Sequence, residues 1–157
     1  MTKLSTFLWF EKDADQAANL YVSIFGGRVY DERRWAPGGP APEGSLMSVS
    51  FEIDGHEYQA FNGGPGHPLT DANSVYVDVA DQAELDDIWD KLTADGGSGV
   101  ACGWLTDKFG LSWQIIPREL GELLTDPDPE RSSRAMQAML RMVKIDVAAL
   151  RAAADGR

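Results

Sequence analysis

The sequence predicts an α+β fold of two tandem strand-helix-strand-strand-strand (βαβββ) modules followed by C-terminal helices. One strand, one helix and several strands occur twice in the same order. The predicted helix-start residues Asp13 and Asp81 are 68 positions apart, and the glycine pairs that end these helices, Gly26-Gly27 and Gly96-Gly97, are 70 apart. After Pro117 the pattern becomes helical. We expect a single domain with module one at 1–65, module two at 73–117 and a helical extension at 118–157.

Module one begins with an apolar and aromatic run at 4–10, which is too short for a helix and predicts a buried strand. Asp13 with Gln16 forms a capping-box pattern, which predicts the start of a helix. The apolar stripe of this helix is Ala17, Leu20, Tyr21, Ile24 and Phe25. Three further strands are predicted at 28–35, 45–53 and 56–62, the last two joined by the hairpin turn Asp54-Gly55.

Module two repeats this plan. A strand is predicted at 74–80, and Asp81 with Glu84 forms the second capping box. The buried stripe of its helix is Leu85, Ile88, Trp89 and Leu92. Strands are predicted at 100–105 and 111–117, on either side of the turn 107–110.

The extension carries helix signals of its own. Asp128 followed by Pro129 predicts a helix start, and Asp146 predicts another. Met136, Met139, Leu140 and Val143 make an apolar stripe. We favour packing of this stripe on the sheet or on a second subunit over an adaptable binding face.

Composition excludes several classes of protein. With 43% hydrophobic and 25% charged residues the chain is typical of a globular protein, and its net charge of −11 disfavours nucleic acid and anionic membranes as partners. The N-terminal segment turns acidic after a short apolar run, so it predicts neither a signal peptide nor a membrane span. The single cysteine, Cys102, fits a cytoplasmic protein without disulfides. Two histidines, His56 and His67, are too few for a three-histidine metal site.

Four segments resemble a known family. FLWFEKDADQAANLYVSIFGGRV at 7–29, FNGGP at 61–65, DQAELDDIWDKL at 81–92 and CGWLTDKFGLSWQIIP at 102–117 are similar to the PhnB-like group of the vicinal oxygen chelate superfamily, which includes glyoxalase I, extradiol dioxygenases and bleomycin-resistance proteins. Some PhnB-like members carry the label 3-demethylubiquinone-9 3-methyltransferase. The resemblance covers essentially the whole chain, and it implies a cup formed by the two modules and a homodimer.

In metal-dependent members of the superfamily, equivalent strands of the two modules supply the ligands. The resemblance places Thr6, Tyr58, Ser74 and Gln114 at these positions, and none of them is a strong metal ligand. A slip of one residue exchanges Tyr58 for Gln59, and a slip of two brings in His56. We therefore expect no metal and no other cofactor.

Other catalytic signatures are weak. The first strand runs into an acidic helix with no glycine before Gly26, which argues against a common S-adenosylmethionine site and makes methyltransferase activity unlikely. Cys102 lies in a strand-like run, and a lone buried cysteine is usually a small hydrophobic residue. The sequence has no nucleophile elbow and no phosphate loop.

We interpret the chain as a metal-free small-molecule-binding protein of the PhnB-like group, with ligand or drug sequestration as one form of this function. The ligand-binding candidates are Thr6, Tyr58, Ser74, Trp104 and Gln114, and aromatic side chains with neutral amides suit a planar or amphipathic ligand. One alternative is a divergent metal-dependent lyase, isomerase or dioxygenase that uses His56, or a metal-free catalyst. Another is a dimeric interaction module whose cup is filled by its own side chains.

Overall fold

The computed structural model describes residues 1–157. The chain comprises two compact units, Met1–Leu69 and Thr70–Arg157. Each unit holds a four-stranded mixed sheet with a helix inserted after its first strand. The predicted α+β class, the repeated βαβββ order and the C-terminal helices are thereby confirmed.

The first unit is a sheet packed on one helix. Its elements are β1 (Thr6–Phe10), α1 (Ala14–Phe25), β2 (Arg28–Arg34), β3 (Leu46–Ile53) and β4 (His56–Asn62). The strand order is β1-β4-β3-β2, with β1 parallel to β4 and the other pairs antiparallel. Strand alternation sends one set of side chains toward α1, where they form the buried core with helix residues: Leu8, Phe10, Val49, Phe51, Ala60, Ala14, Ala17, Ala18 and Tyr21.

The start of α1 differs from the prediction. Asp13 makes no side-chain capping bond. Instead, the side-chain oxygen Oδ1 of Asn62 accepts a 2.9 Å hydrogen bond from the backbone N–H of Ala14. Parallel pairing of Phe10 with Asn62 brings the end of β4 to the helix N-terminus, so a distant amide satisfies one of the free N–H groups of the first turn, whereas the local pattern would have paired Asp13 with the N–H of Gln16.

The second unit repeats the plan and adds three helices. Its elements are β5 (Ser74–Val79), α2 (Gln82–Thr93), β6 (Ser98–Gly99), β7 (Trp104–Thr106), β8 (Ser112–Pro117), α3 (Arg118–Leu124), α4 (Pro129–Met139) and α5 (Val147–Ala154), with a 3-10 turn at Ala94–Gly96. The strand order is β5-β8-β7-β6, with β5 parallel to β8. The predicted caps Asp81, Asp128 and Asp146 each accept a 2.9 Å hydrogen bond from a backbone N–H in the first turn of their helix.

The predicted strand at 100–105 is wrong in its first part. Residues 100–103 form a tight turn between β6 and β7, in which Cys102 and Gly103 have φ angles of 52° and 84°. The backbone N–H groups of Cys102 and Gly103 donate to the carbonyls of Met142 and Val143, both at 2.8 Å. Cys102 therefore lies in a turn, because its N–H pairs with the C-terminal segment and not with a neighbouring strand.

The apolar stripe of the extension also differs from the prediction of one continuous helical face. α4 ends at Met139, so Leu140 and Val143 lie beyond it. Met136 is 41% exposed, Leu140 62% and Val143 49%, and Ala135 is the buried residue of α4. Most of the stripe therefore does not pack on the sheet, and Ile145 and Leu150 supply fully buried side chains of the extension.

No helix combines the length and apolar character that crossing a membrane would require.

Candidate ligand-binding site

The second sheet brings three of the five predicted site residues together. Gln114, in the middle of β8, pairs with Trp104 of β7 and with Tyr76 of β5. Its side-chain nitrogen Nε2 donates a 3.0 Å hydrogen bond to Oγ of Ser74. Gln114, Ser74 and Trp104 are all partly exposed, and Tyr76 is 59% exposed.

These residues lie on the face of the sheet opposite α2. Trp113 and Ile115 alternate with Gln114 along β8 and are almost completely buried. They face the buried stripe of α2, because α2 packs on β8 and alternate residues of a strand point to opposite sides. Gln114 and its partners therefore project away from the helix.

The polar groups of this cluster keep unused hydrogen-bonding capacity. The bond to Ser74 uses one N–H of the Gln114 amide, so the carbonyl oxygen and the second N–H remain available. The indole N–H of Trp104, directly across from Gln114, has no partner within the chain. With the O–H of Ser74, the cluster thus offers three donors, the amide oxygen as an acceptor, and an aromatic surface.

Asp107 holds the hairpin on which the cluster lies. Its carboxylate is 3% exposed and accepts hydrogen bonds from the N–H groups of Phe109 and Leu111 at 2.8 and 3.1 Å. A third bond, of 2.9 Å, comes from the indole N–H of Trp113. These bonds fix the β7–β8 turn and with it the pairing of Trp104 and Gln114. Sequence reasoning placed Asp107 only in a turn, and the aspartate at the first turn position was the available signal.

The first sheet contains the same polar pair. Nε2 of Gln59 donates a 3.0 Å hydrogen bond to Oγ of Ser5, and Gln59 pairs with Phe7 just as Gln114 pairs with Tyr76. Ser5 precedes Phe7 by two residues, as Ser74 precedes Tyr76. Ser5 and Gln59 are therefore the structural equivalents of Ser74 and Gln114.

The predicted contacts Thr6 and Tyr58 lie next to this pair in sequence and on the opposite face of the first sheet. Thr6 pairs with Tyr58, and the Tyr58 ring stacks on Phe51 at a centroid distance of 4.8 Å and an interplanar angle of 8°. Phe51 in turn contacts Tyr21 of α1, so Tyr58 lies on the helix side of the sheet. Burial there raises the pKa of the Tyr58 hydroxyl. A slip of one residue moves a side chain to the other face, and Gln59 is the residue on that face.

Aromatic side chains cover the face of the first sheet opposite α1. The Phe61 ring lies 5.4 Å from Phe7, 5.0 Å from Trp9 and 5.9 Å from Trp35. The His67 ring lies 4.2 Å from Trp9, so this histidine belongs to the aromatic cluster. A cavity of about 400 Å³ beside Trp35 is lined also by Glu11, Lys12, Asp15 and Asn62.

The side chains of the two polar pairs do not suit a divalent metal ion. Gln59, Gln114, Ser5 and Ser74 offer neutral amide and hydroxyl groups, which cannot neutralise a cation. No three histidine, cysteine or carboxylate side chains come close enough to hold a metal. His56 is exposed at the start of β4, where it pairs with Ile53 across the hairpin.

Two units of βαβββ topology with mixed sheets define the class of vicinal oxygen chelate folds. Residues 2–116 match the family described as 3-demethylubiquinone-9 3-methyltransferase, and the chain belongs to this family, in its PhnB-like group.

Solved structures agree with this assignment. The PhnB protein of Bacillus cereus is 32% identical, with a TM-score of 0.65 over 74% of this chain and 99% of that chain. A Pseudomonas aeruginosa protein (19% identity, TM-score 0.58, 74% of this chain and 98% of that one) shares the fold. The fosfomycin resistance protein FosX of Listeria monocytogenes also shares the fold, with 16% identity and a TM-score of 0.57 over 79% of this chain and 97% of that chain. No curated protein matches the chain.

Proposed function

We propose that this protein binds a small planar or amphipathic molecule without a metal ion, on the face of the second sheet opposite α2. The observation that supports this most directly is the bond from Gln114 to Ser74. It fixes the amide beside Trp104 and leaves its carbonyl oxygen free. An oriented amide next to an aromatic ring is typical of sites that recognise flat polar molecules.

The chemistry of the cluster defines the ligand class. Gln114 can pair with a neutral group that carries one donor and one acceptor, such as the lactam of a flat heterocycle, while Trp104 covers its ring. The net charge of −11 disfavours an anionic ligand. In the first unit Ser5 and Gln59 offer a second polar pair of the same kind. Thr6 and Tyr58 stay predicted contacts, and the stacking of Tyr58 on Phe51 gives them less support.

Sequestration of a drug is one form of this function. One FosX structure is described as a complex with Mn(II) and 1S,2S-dihydroxypropylphosphonic acid, in a protein 18% identical to this chain. That likeness supports the fold alone. The neutral donors here suit a neutral ligand, so we do not extend manganese or phosphonate binding to this chain.

Enzymatic alternatives have less support. A metal-dependent lyase, isomerase or dioxygenase would need strong ligands around His56, which lies exposed at a hairpin. Methyl transfer from S-adenosylmethionine commonly uses a glycine-rich loop after the first strand, and β1 here leads into α1 with no glycine before Gly26.

We also propose that the protein is cytoplasmic and forms a homodimer. The free thiol of Cys102 suits a reducing compartment. Exposed Met136, Leu140 and Val143 offer apolar surface for a second copy. Light scattering tests the dimer: Leu140→Asp should lower the mass to that of a monomer, while Lys91→Asp, on exposed surface of α2, should not. A wild-type monomer would contradict it.

The binding experiment uses protein purified without an affinity tag. Thermal-shift screening of neutral lactams and amides, with 2-quinolone as the reference probe, is followed by calorimetry. We expect saturable 1:1 binding that EDTA does not alter and that Gln114→Ala weakens by at least about tenfold. One tightly bound transition metal per chain, or equal affinity of the Gln114→Ala variant, would overturn the proposal.

A further inference from the structure

We propose that the C-terminal segment Met142–Val147 is a positioning device for Trp104, so that the helical extension sets the affinity of the site. This inference rests on the proposed function where it concerns affinity. The match to the family ends at residue 116, and α3, α4 and α5 lie beyond it. The extension therefore lies outside the part of the chain that matches the family. Its contacts with that part show how it can influence the site.

The segment is bonded to the turn that precedes Trp104. The carbonyls of Met142 and Val143 accept 2.8 Å hydrogen bonds from the N–H groups of Cys102 and Gly103. Within the turn, the N–H of Trp104 donates to Ala101 at 2.9 Å, and the carbonyl of Trp104 accepts from Val100 at 2.8 Å. Both backbone groups of Trp104 are thus used by a turn that the extension holds.

Side-chain packing reinforces these bonds. Ile145 is fully buried against Gly103, where an added Cβ would lie 3.2 Å from Cγ1 of Ile145 and 2.7 Å from Cδ1 of Ile116. Val143 packs on Gly99 in the same manner. The carbonyl of Gly103 also accepts a 2.9 Å bond from Ile115, the neighbour of Gln114. The turn therefore connects the extension to both Trp104 and the strand that carries Gln114.

Gln82 in α2 fixes the segment from its other side. Its Nε2 donates to the carbonyl of Ile145 at 3.1 Å, and its Oε1 accepts from the N–H of Val147 at 2.8 Å. Lys144 adds an ion pair of 2.7 Å with Asp86. Gln82 touches neither Trp104 nor Gln114, so a substitution there can loosen the segment without altering the site itself.

The test compares Gln82→Ala with Asp128→Ala in the full chain. The first removes both bonds to the segment, and the second removes the cap of α4, which is also in the extension. Two-dimensional NMR follows the amide exchange of Cys102, Gly103 and Trp104 and the Trp104 indole resonance. Calorimetry with 2-quinolone gives the affinity.

In Gln82→Ala we expect faster exchange at these three amides, a shifted Trp104 indole resonance and an affinity lower by about fivefold or more. Asp128→Ala should change none of these. If Gln82→Ala leaves the turn and the indole unchanged, or frees the turn without lowering the affinity, the inference is wrong. If the wild-type protein binds no probe, the proposed function fails, while the exchange and the indole resonance still decide whether the segment positions Trp104.

Discussion

The amide of Gln114 donates a 3.0 Å hydrogen bond to the hydroxyl of Ser74, forty residues earlier in the chain. Parallel pairing of β5 with β8 creates this contact, and the first unit repeats it between Gln59 and Ser5. Both pairs consist of neutral amide and hydroxyl groups, which carry no charge to offset that of a cation. Each unit thus carries one amide–hydroxyl pair on the face of its sheet opposite the helix.

Gln114→Ala should lower ligand affinity by at least about tenfold, because it removes the oriented carbonyl and amide. Stability should fall by less than about 1 kcal/mol, since Gln114 is partly exposed and its one partner, Ser74, can bond to water. Calorimetry and urea unfolding measure the two effects. Gln59→Ala is the matched control and should leave the affinity unchanged. A loss of affinity in Gln59→Ala with none in Gln114→Ala would place the ligand on the first sheet.

Asp107→Ala should cost about 3 kcal/mol of unfolding free energy, because three N–H donors lose a buried acceptor. Urea denaturation of the variant measures this loss. Asp87→Ala serves as the control, since Asp87 is exposed and pairs only with Lys91 in the next turn. Its loss should be within about 0.5 kcal/mol. Similar losses in both variants would show that Asp107 does not hold the hairpin.

Two glycine substitutions should act in opposite directions. Gly121 lies in α3, and an added Cβ there would meet no neighbouring side chain, so Gly121→Ala should stabilise the protein by about 0.5 to 1 kcal/mol. Gly103 has a φ of +84° and a neighbouring atom 2.7 Å from an added Cβ, so Gly103→Ala should destabilise it by about 2 to 4 kcal/mol. Thermal unfolding of both variants checks the signs, and a stable Gly103→Ala variant would contradict the close packing of the turn.

The sequence predicted the fold well because both modules contain the local signals for their elements, namely helix-start residues, apolar stripes and turn residues. Asp81 and Glu84 give a capping-box pattern within four residues, and in the structure Asp81 accepts from the N–H of Glu84, while the Glu84 carboxylate accepts from the N–H of Ala80, one residue before the cap. The cap of α1 was missed because Asn62 reaches it from a strand forty-eight residues away. Likewise, the turn at Cys102 depends on carbonyls of the C-terminal segment, which no local pattern reveals.

The sequence predicted which strands carry the polar pairs more securely than which face of each strand they occupy. Ser74 and Gln114, both predicted contacts, are hydrogen-bonded to each other in the structure. In the first unit the predicted contacts Thr6 and Tyr58 lie on the helix side of the sheet, because β4 is aromatic or polar at adjacent positions and the sequence does not show which face is buried. The equivalence of Ser5 and Gln59 follows only from strand pairing.

Acid should loosen the C-terminal segment through Asp86. Hydrogen bonds from Lys144 and Gln82 lower the pKa of this carboxyl in the folded protein. Its stabilising effect is therefore complete above the unfolded-state pKa of about 4, and it is lost as the pH falls through the lower folded-state value. Melting temperatures of wild type and Asp86→Asn, measured from neutral to acid pH, should differ most above pH 4 and converge below it. A difference that persists unchanged in acid would show that Asp86 acts by packing and not by its charge.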